Sequence, residues 1–264
     1  MASKLKPDFA KFSPEGTAKM EEITGTPAHA MLVQAGLLPT PPVGARVLDN
    51  ACGGGVVAAR LFGAIGPGTT TDLHVVCGDL AEYMVKSAAE RIEKHSWNAE
   101  AKVVDAQARE LECLPDNHFT HTLMNFGIQF IPNNVLAVEE SFRVLRPEGT
   151  IGFTSWTAPG WLDSFKHGVP GFVEPPFLKS APTATEESIT GLLTGAGFTR
   201  VNVQPIVFEQ TDTMARCLPF LGEAFKTILV GETKAKYEAY MKERYGEGEF
   251  TLTWKAFVVT AVKP

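Results

Sequence analysis

Asp49, Ala51, Gly53 and Gly55 lie within seven residues of one another, just after the apolar pair Val47-Leu48. A glycine turn that opens a helix is usually an anion site, because its N–H groups are free and the helix dipole points its positive end outward. Gly53 and Gly55 let the backbone bend and approach a ligand with no Cβ in the way. The spacing Gly53-x-Gly55-x-x-Ala58 also satisfies the loose dinucleotide fingerprint, which discriminates little by itself. Asp49 conflicts with that reading. A pyrophosphate over the turn would face a like charge, a repulsion of about 4 kcal/mol at ~4 Å and an effective dielectric of ~20.

A ligand carrying a sulfonium and an α-ammonium turns the same acid into an attraction. S-adenosyl-L-methionine is such a ligand, and the helix N-terminus tolerates its small carboxylate. Two more acids extend the pattern. Asp79 closes the apolar run LHVVCGD and is placed to accept hydrogen bonds from ribose hydroxyls. Asp105 closes AKVVDA and is placed to accept the adenine amino group. Each acid taken singly also suits a helix N-cap. Other side-chain sets argue for less. His118 and His121 are three apart on a predicted strand, point to opposite faces and cannot chelate one metal, so no metal site is expected. His167 is the one candidate base, with a solvated loop histidine as the plainer alternative.

These residues need a scaffold. Residues 14–37 read as a helix, and PTPP at 39–42 breaks it. Strands are expected at 45–51, 73–79, 101–106, 118–127 and 150–156, with helices at 55–65, 80–95 and 137–146 between them. That alternation predicts a doubly wound α/β parallel sheet with right-handed crossovers. Residues 157–186 are rich in Pro, Gly and aromatics and read as an irregular insertion. A helix at 187–198, a strand at 200–210, one helical stretch at 212–245 and a last strand at 250–263 complete the chain. The expected organisation is a single domain: an N-terminal helical cap over 1–42, a cofactor-binding core over 43–156, and substrate-covering insertions with C-terminal strands over 157–264.

Composition narrows the partners. The net charge of −6, with basic residues interleaved among acids, disfavours nucleic acid. No apolar run reaches the ~20 residues of a membrane span. The N-terminus lacks a secretory apolar core. Cys52, Cys77, Cys113 and Cys217 show no paired spacing, which suits a reducing, cytoplasmic setting. The oligomeric state is not legible.

The segments VLDNACGGG, VVCGDLAEYM, VVDAQARELECLPDNHFTHTLMNFGIQF and FRVLRPEGTIGFTSW resemble class I S-adenosylmethionine-dependent methyltransferases. Within that class the wording is most similar to small fungal natural-product enzymes of the gliotoxin-type thiomethyltransferase kind. The resemblance implies a Rossmann-like seven-stranded sheet in the order 3-2-1-4-5-7-6, the last strand antiparallel. It implies that Asp49, Ala51, Gly53 and Gly55 contact the methionyl part, and that Asp79 binds the ribose. Leu80 and Met84 would pack near the adenine, Asp105 and Ala106 would hold its edge, and Asn125 and Phe126 would lie near the methyl donor. Ala51 stands where the common loop has its first glycine. The implied reaction is in-line methyl transfer to an S, O or N nucleophile of a small metabolite in a dry pocket. Phe12, Met20, Phe126, Trp156, Trp161, Phe165 and Phe172 are the expected substrate wall. The competing reading is a methyltransferase-like fold that acts as a pericyclase or as a non-methylating binding module.

Overall fold

The computed structural model describes residues 12–66, 72–107, 114–179 and 181–264. Ser13 caps α1 (Pro14–Gln34), its Oγ accepting the Gly16 N–H at 3.0 Å, and Pro14 supplies the preset φ of a first helical position. The chain then alternates: β1 (Arg46–Asn50), α2 (Val56–Ile65), β2 (His74–Asp79), α3 (Glu82–His95) and β3 (Ala99–Val103). Next come β4 (Phe119–Asn125), α4 (Asn134–Val144) and β5 (Leu145–Ala158). α5 (Leu162–Gly168), α6 (Glu186–Gly195), β6 (Thr199–Thr213), α7 (Met214–Ala224), α8 (Gly231–Tyr245) and β7 (Glu249–Val262) follow.

One seven-stranded sheet runs β3-β2-β1-β4-β5-β7-β6. β1 pairs in parallel with β2 and β4, β2 with β3, and β4 with β5, whereas β7 is antiparallel to both β5 and β6. This is the expected Rossmann-like order. β1 is followed by β2 on one side and reached by β4 on the other, so the chain reverses direction across the sheet beside β1. In such sheets the ligand crevice opens at the carboxyl ends of the strands flanking that switch. The apolar residues of the central strands are buried on both faces, as a sheet covered by helices requires: Val47, Leu48, Val75, Cys77, Leu123 and Met124 are all enclosed.

Three expectations are corrected. β3 is Ala99–Val103 rather than 101–106, an edge strand whose Glu100 and Lys102 bridge each other at its surface, 2.8 Å apart. Asp105 therefore sits two residues past the strand, in the following loop. The helical stretch expected over 212–245 is a strand end and two helices: β6 runs on to Thr213, and residues 225–230 separate α7 from α8. The insertion at 157–186 is not wholly irregular, since it contains α5 and a short 3-10 turn at Pro176–Leu178.

Candidate functional site

The turn after β1 is built on left-handed backbone. Ala51 has φ 59°, Gly53 φ 54° and Gly55 φ 83°. A Cβ added at Gly53 would meet no atom within 4 Å, so any side chain there would project into open space. At Ala51 the left-handed conformation is carried by a residue with a Cβ, which strains the backbone by roughly 1–2 kcal/mol. That methyl also dictates a neighbour: a Cβ at Gly127 would lie 2.6 Å from Ala51 Cβ. Asp79, at the tip of β2, holds the turn from the side. Its Oδ2 accepts the Gly53 N–H at 2.8 Å, and its Oδ1 accepts the Ala81 N–H at 2.9 Å.

A cleft of about 890 Å³ opens beside this turn. Ala51 and Gly53 line it from the loop, Asp79, Leu80 and Met84 from the β2–α3 junction, and Asp105 and Ala106 from the loop after β3. Asn125 and Phe126 line it from the tip of β4, and Phe12 and Met20 from the N-terminal end. The spacing reasoning missed Thr24, Tyr83, Gln107 and Arg91 on the same wall. Arg91 of α3 reaches Glu21 of α1 at 2.7 Å, an ion pair across the rim. Leu80 is 64% exposed and Tyr83 43%, unusual for large apolar groups and suited to a flat ligand lying on them.

Two of the loop residues are placed differently from expectation. Gly55 is the N-cap of α2 and packs towards Ala88 of α3, away from the cleft. Asp49 is fully buried beneath the turn, between Cys77 of β2 and Leu123 of β4, and neither of its oxygens has a hydrogen-bond donor. Burial pushes its carboxyl up to about 8, and the nearby Asp79 charge adds to the rise. The amide of Ala58, in the first turn of α2, pulls the other way without closing a geometrically sound bond. A strand enclosed on both faces gives its polar member no solvent side, so the acid cannot face a ligand directly. The negative wall of the cleft is instead Asp79, with Asp105, Glu21 and Glu90 further along.

This burial makes stability depend on pH. The native state keeps the Asp49 proton up to about pH 8, whereas the unfolded chain loses it near 3.8. The native state binds more protons across that window, so unfolding free energy falls as pH rises through it and levels off above. Urea melts of the ligand-free protein at pH 5, 6.5 and 8 should show this loss relative to Asp49→Asn, whose profile lacks it; parallel profiles would refute the assignment.

At the tip of β4, Asn125 is held by its surroundings. Its Oδ1 accepts the Thr154 hydroxyl at 2.8 Å, and its Nδ2 donates to the Thr24 carbonyl at 3.3 Å. Thr154 Oγ1 in turn accepts the Phe126 N–H at 2.9 Å. Phe126 has φ 60°, a strained conformation of the sort that collects at functional sites, and its ring stacks on Trp156 at 3.8 Å and 9°. Trp156 is fixed by Gln129, whose Oε1 accepts the Trp156 N–H and whose Nε2 donates to the Trp156 and Phe177 carbonyls.

Behind this stack lies a second, smaller cavity of about 40 Å³. Trp156, Trp161, Phe177, Phe225 and Trp254 line it, together with Met20, Ile23 and Phe220. Met20 and Phe130 line both spaces and form the partition between them. Phe165 and Phe172 line neither. Phe165 is fully buried behind Trp161, 5.2 Å from its ring, and Phe172 packs edge-on against both. His167 also lines neither space. It lies on the solvent side of α5, where its Nδ1 lies 2.9 Å from the Asp163 carbonyl, so it cannot reach a ligand in the cleft. His121 is buried in the sheet, bonded to Thr120 and to the Ala35 carbonyl, with burial pulling its pKa down to about 4.

The cavity roof is clasped from outside. Ser13 at the head of α1 donates through N and Oγ to Glu223 of α7, at 2.6 and 3.0 Å. Lys19 meets Asp212 at 2.9 Å, and Glu22 meets Arg216. Among the described residues no cluster of His, Cys, Asp and Glu could hold a metal, and no helix is long and apolar enough to cross a membrane.

Residues 47–149 match a family model described as a methyltransferase domain. The chain is 28% identical over 273 residues to the methyltransferase tpcH of Aspergillus fumigatus, with 94% of each chain covered. It is 27% identical over 283 residues to the acetylaranotin bis-thiomethyltransferase of Aspergillus terreus, covering 98% of this chain and 96% of that one. Its fold is similar, with a TM-score of 0.55 and 19% identity, to phosphoethanolamine N-methyltransferase 2 of Haemonchus contortus solved with S-adenosyl-L-methionine. That match covers 90% of this chain and 52% of the other.

Proposed function

We propose that this chain, a class I S-adenosyl-L-methionine-dependent methyltransferase, methylates an S, O or N nucleophile of a small natural-product-type metabolite. The observation that carries the reading is one wall. The bare turn at Gly53, the Asp79 carboxylate, the Asp105 loop and the fixed Asn125 follow one another along a cleft that ends in an aromatic stack.

The residues present suit the cofactor. Gly53 leaves room for the methionyl part against the backbone, and Asp79 has lone pairs left for ribose hydroxyls after its two backbone bonds. Leu80 and Tyr83 offer apolar surface to the adenine, with Asp105 and Ala106 at its edge. Bound S-adenosyl-L-methionine supplies a methyl already activated by the sulfonium. The chain's task is alignment and dryness: Asn125, Phe126 and Trp156 hold the acceptor end of the cleft rigid, and the aromatic wall excludes water. With the cofactor bound, the acceptor's electron pair would form the new bond to carbon as the carbon–sulfur pair returned to sulfur, and Asn125, Phe126 and Trp156 would serve to align the two. The polar side chains at that point are already engaged: Asn125 donates to the Thr24 backbone carbonyl and accepts from Thr154, and the Thr24 hydroxyl donates to the Met20 carbonyl. An acceptor that arrives as a thiolate or a phenolate needs no proton taken from it there.

Calorimetry with S-adenosyl-L-methionine and with NAD, followed by a mass-spectrometric screen of thiols, phenols and amines, tests this. Expected are binding of the sulfonium ligand alone and a gain of one methyl, about 14 Da, on a thiol or acidic phenol. NAD binding with no response to the sulfonium ligand would overturn it.

A further inference from the structure

One buried donor beside the small cavity beyond Phe126 is unexplained. Trp254 lines it, is 4% exposed, and its Nε1–H has no hydrogen-bond partner. Buried donors are paired in nearly all native structures, because an unpaired one forfeits its bond to water and gains nothing. Here the indole is placed by the sheet. Trp254 stands opposite Phe208 of β6, and Ala256, two residues on and on the same face, stands opposite Trp156 of β5. Gly160 packs against the ring where no larger residue fits, since a Cβ there would come within 2.6 Å of it. A water is a poor partner for this donor, because a buried water needs two to four polar contacts and the surrounding wall is aromatic and aliphatic.

Resting on the methyl-transfer reading above, we infer that the acceptor is a flat, fused-ring aromatic with a carbonyl or oxyanion that takes the Trp254 Nε1 hydrogen bond, while its nucleophile lies at the opposite end beside Asn125. The ring ladder sets the scale. Phe126 to Trp156 is 3.8 Å between centroids, and Trp156 to Trp254 is 5.2 Å. The three rings form a continuous aromatic surface from the tip of β4 to the donor, the kind of face that a fused-ring system covers better than a single ring. The cavity is too small for this as it stands. Its partition, however, is Met20 and Phe130, and Met20 is an unbranched side chain that changes rotamer cheaply, so swinging it aside opens the cavity towards the cleft past Phe130. An aromatic wall then stacks on the ring faces while the single donor fixes which way round the ring enters.

The test compares two probes that differ by one carbonyl oxygen, 6-acetyl-2-naphthol and 6-ethyl-2-naphthol, with the corresponding 2-thiols alongside. Dissociation constants are measured with and without S-adenosylhomocysteine, and S-adenosyl-L-methionine binding is measured separately by calorimetry. The acetyl probes are expected to bind at least tenfold tighter than the ethyl probes, and Trp254→Phe to reduce that ratio to near one without altering cofactor affinity. A ratio below twofold in the unaltered protein, an unchanged ratio in Trp254→Phe, or no binding of any naphthalene would overturn the inference. The ratio in the unaltered protein decides the matter even if the variant fails to fold. Failure of cofactor binding with the ratio intact would instead strike the methyl-transfer reading.

Discussion

Asp79→Ala lowers affinity for S-adenosyl-L-methionine by at least a hundredfold, read by calorimetry. On the proposed site the carboxylate does two things at once. It fixes the turn through the Gly53 N–H and the head of the next segment through the Ala81 N–H. It also offers its remaining lone pairs to the ribose. Hydrogen bonds to a charged group are worth about 1.5–3 kcal/mol each, so losing two to the ligand costs roughly 3–6 kcal/mol, at least two decades in affinity. The negative wall weakens as well, because buried Asp49 is mostly protonated below pH 8 and does not replace it. Asp79→Asn should recover part of the turn geometry but not the charge, and fall between the two. An affinity within threefold of the unaltered protein for Asp79→Ala would show that the cleft binds its ligand elsewhere.

Lys19→Met lowers stability by about 3–5 kcal/mol, seen as a drop of roughly 10 °C in melting midpoint. Lys19 and Asp212 are 6% and 3% exposed and 2.9 Å apart, so removing one leaves the other charged and away from water. The double variant Lys19→Met/Asp212→Leu should return to within about 1–2 kcal/mol of the starting protein, because an apolar pair of similar volume often replaces a buried ion pair at little cost. If Lys19→Met alone melts unchanged, the clasp between α1 and α7 contributes no net stability. A merely exposed pair, such as Lys236 with Glu232, would be expected to give under 1 kcal/mol.

Much of the scaffold was legible because its signals are local. Apolar runs ending in Asp or Asn, each followed by a stretch of good helix formers, spell out β1 to α3 and β4 to β5. The split between α7 and α8 was not, since residues 225–230, FKTILV, contain no Gly or Pro, whereas Pro219 and Gly222 lie inside α7 and Gly231 opens α8. Asp49 misled for a different reason. Alternation reveals which way a side chain points only when one strand face is wet, and β1 has neither face wet. The acids and glycines of the cleft lie close in the chain and could be read as a group. The cavity was legible only in part: Met20, Trp156 and Trp161 were expected in a substrate wall, whereas Ile23, Phe130, Phe177, Phe220, Phe225 and Trp254 come from distant parts of the chain, and nothing in their spacing joins them. In β7 the alternation of Phe250, Leu252 and Trp254 announced a buried face, but not that one member of it borders a void.

The clasp over the aromatic cavity ties residues 13–22 to residues 212–223. Most of the cleft's lining is already complete by Pro132, whereas the roof of the cavity needs α7 and one of its walls needs β7. On the ribosome, α1 therefore waits with Met20 and Ile23 uncovered until four-fifths of the chain has emerged, and the acceptor compartment is the last part to close. Aggregation of nascent chains halted before residue 212 is the vulnerability that this order of assembly creates.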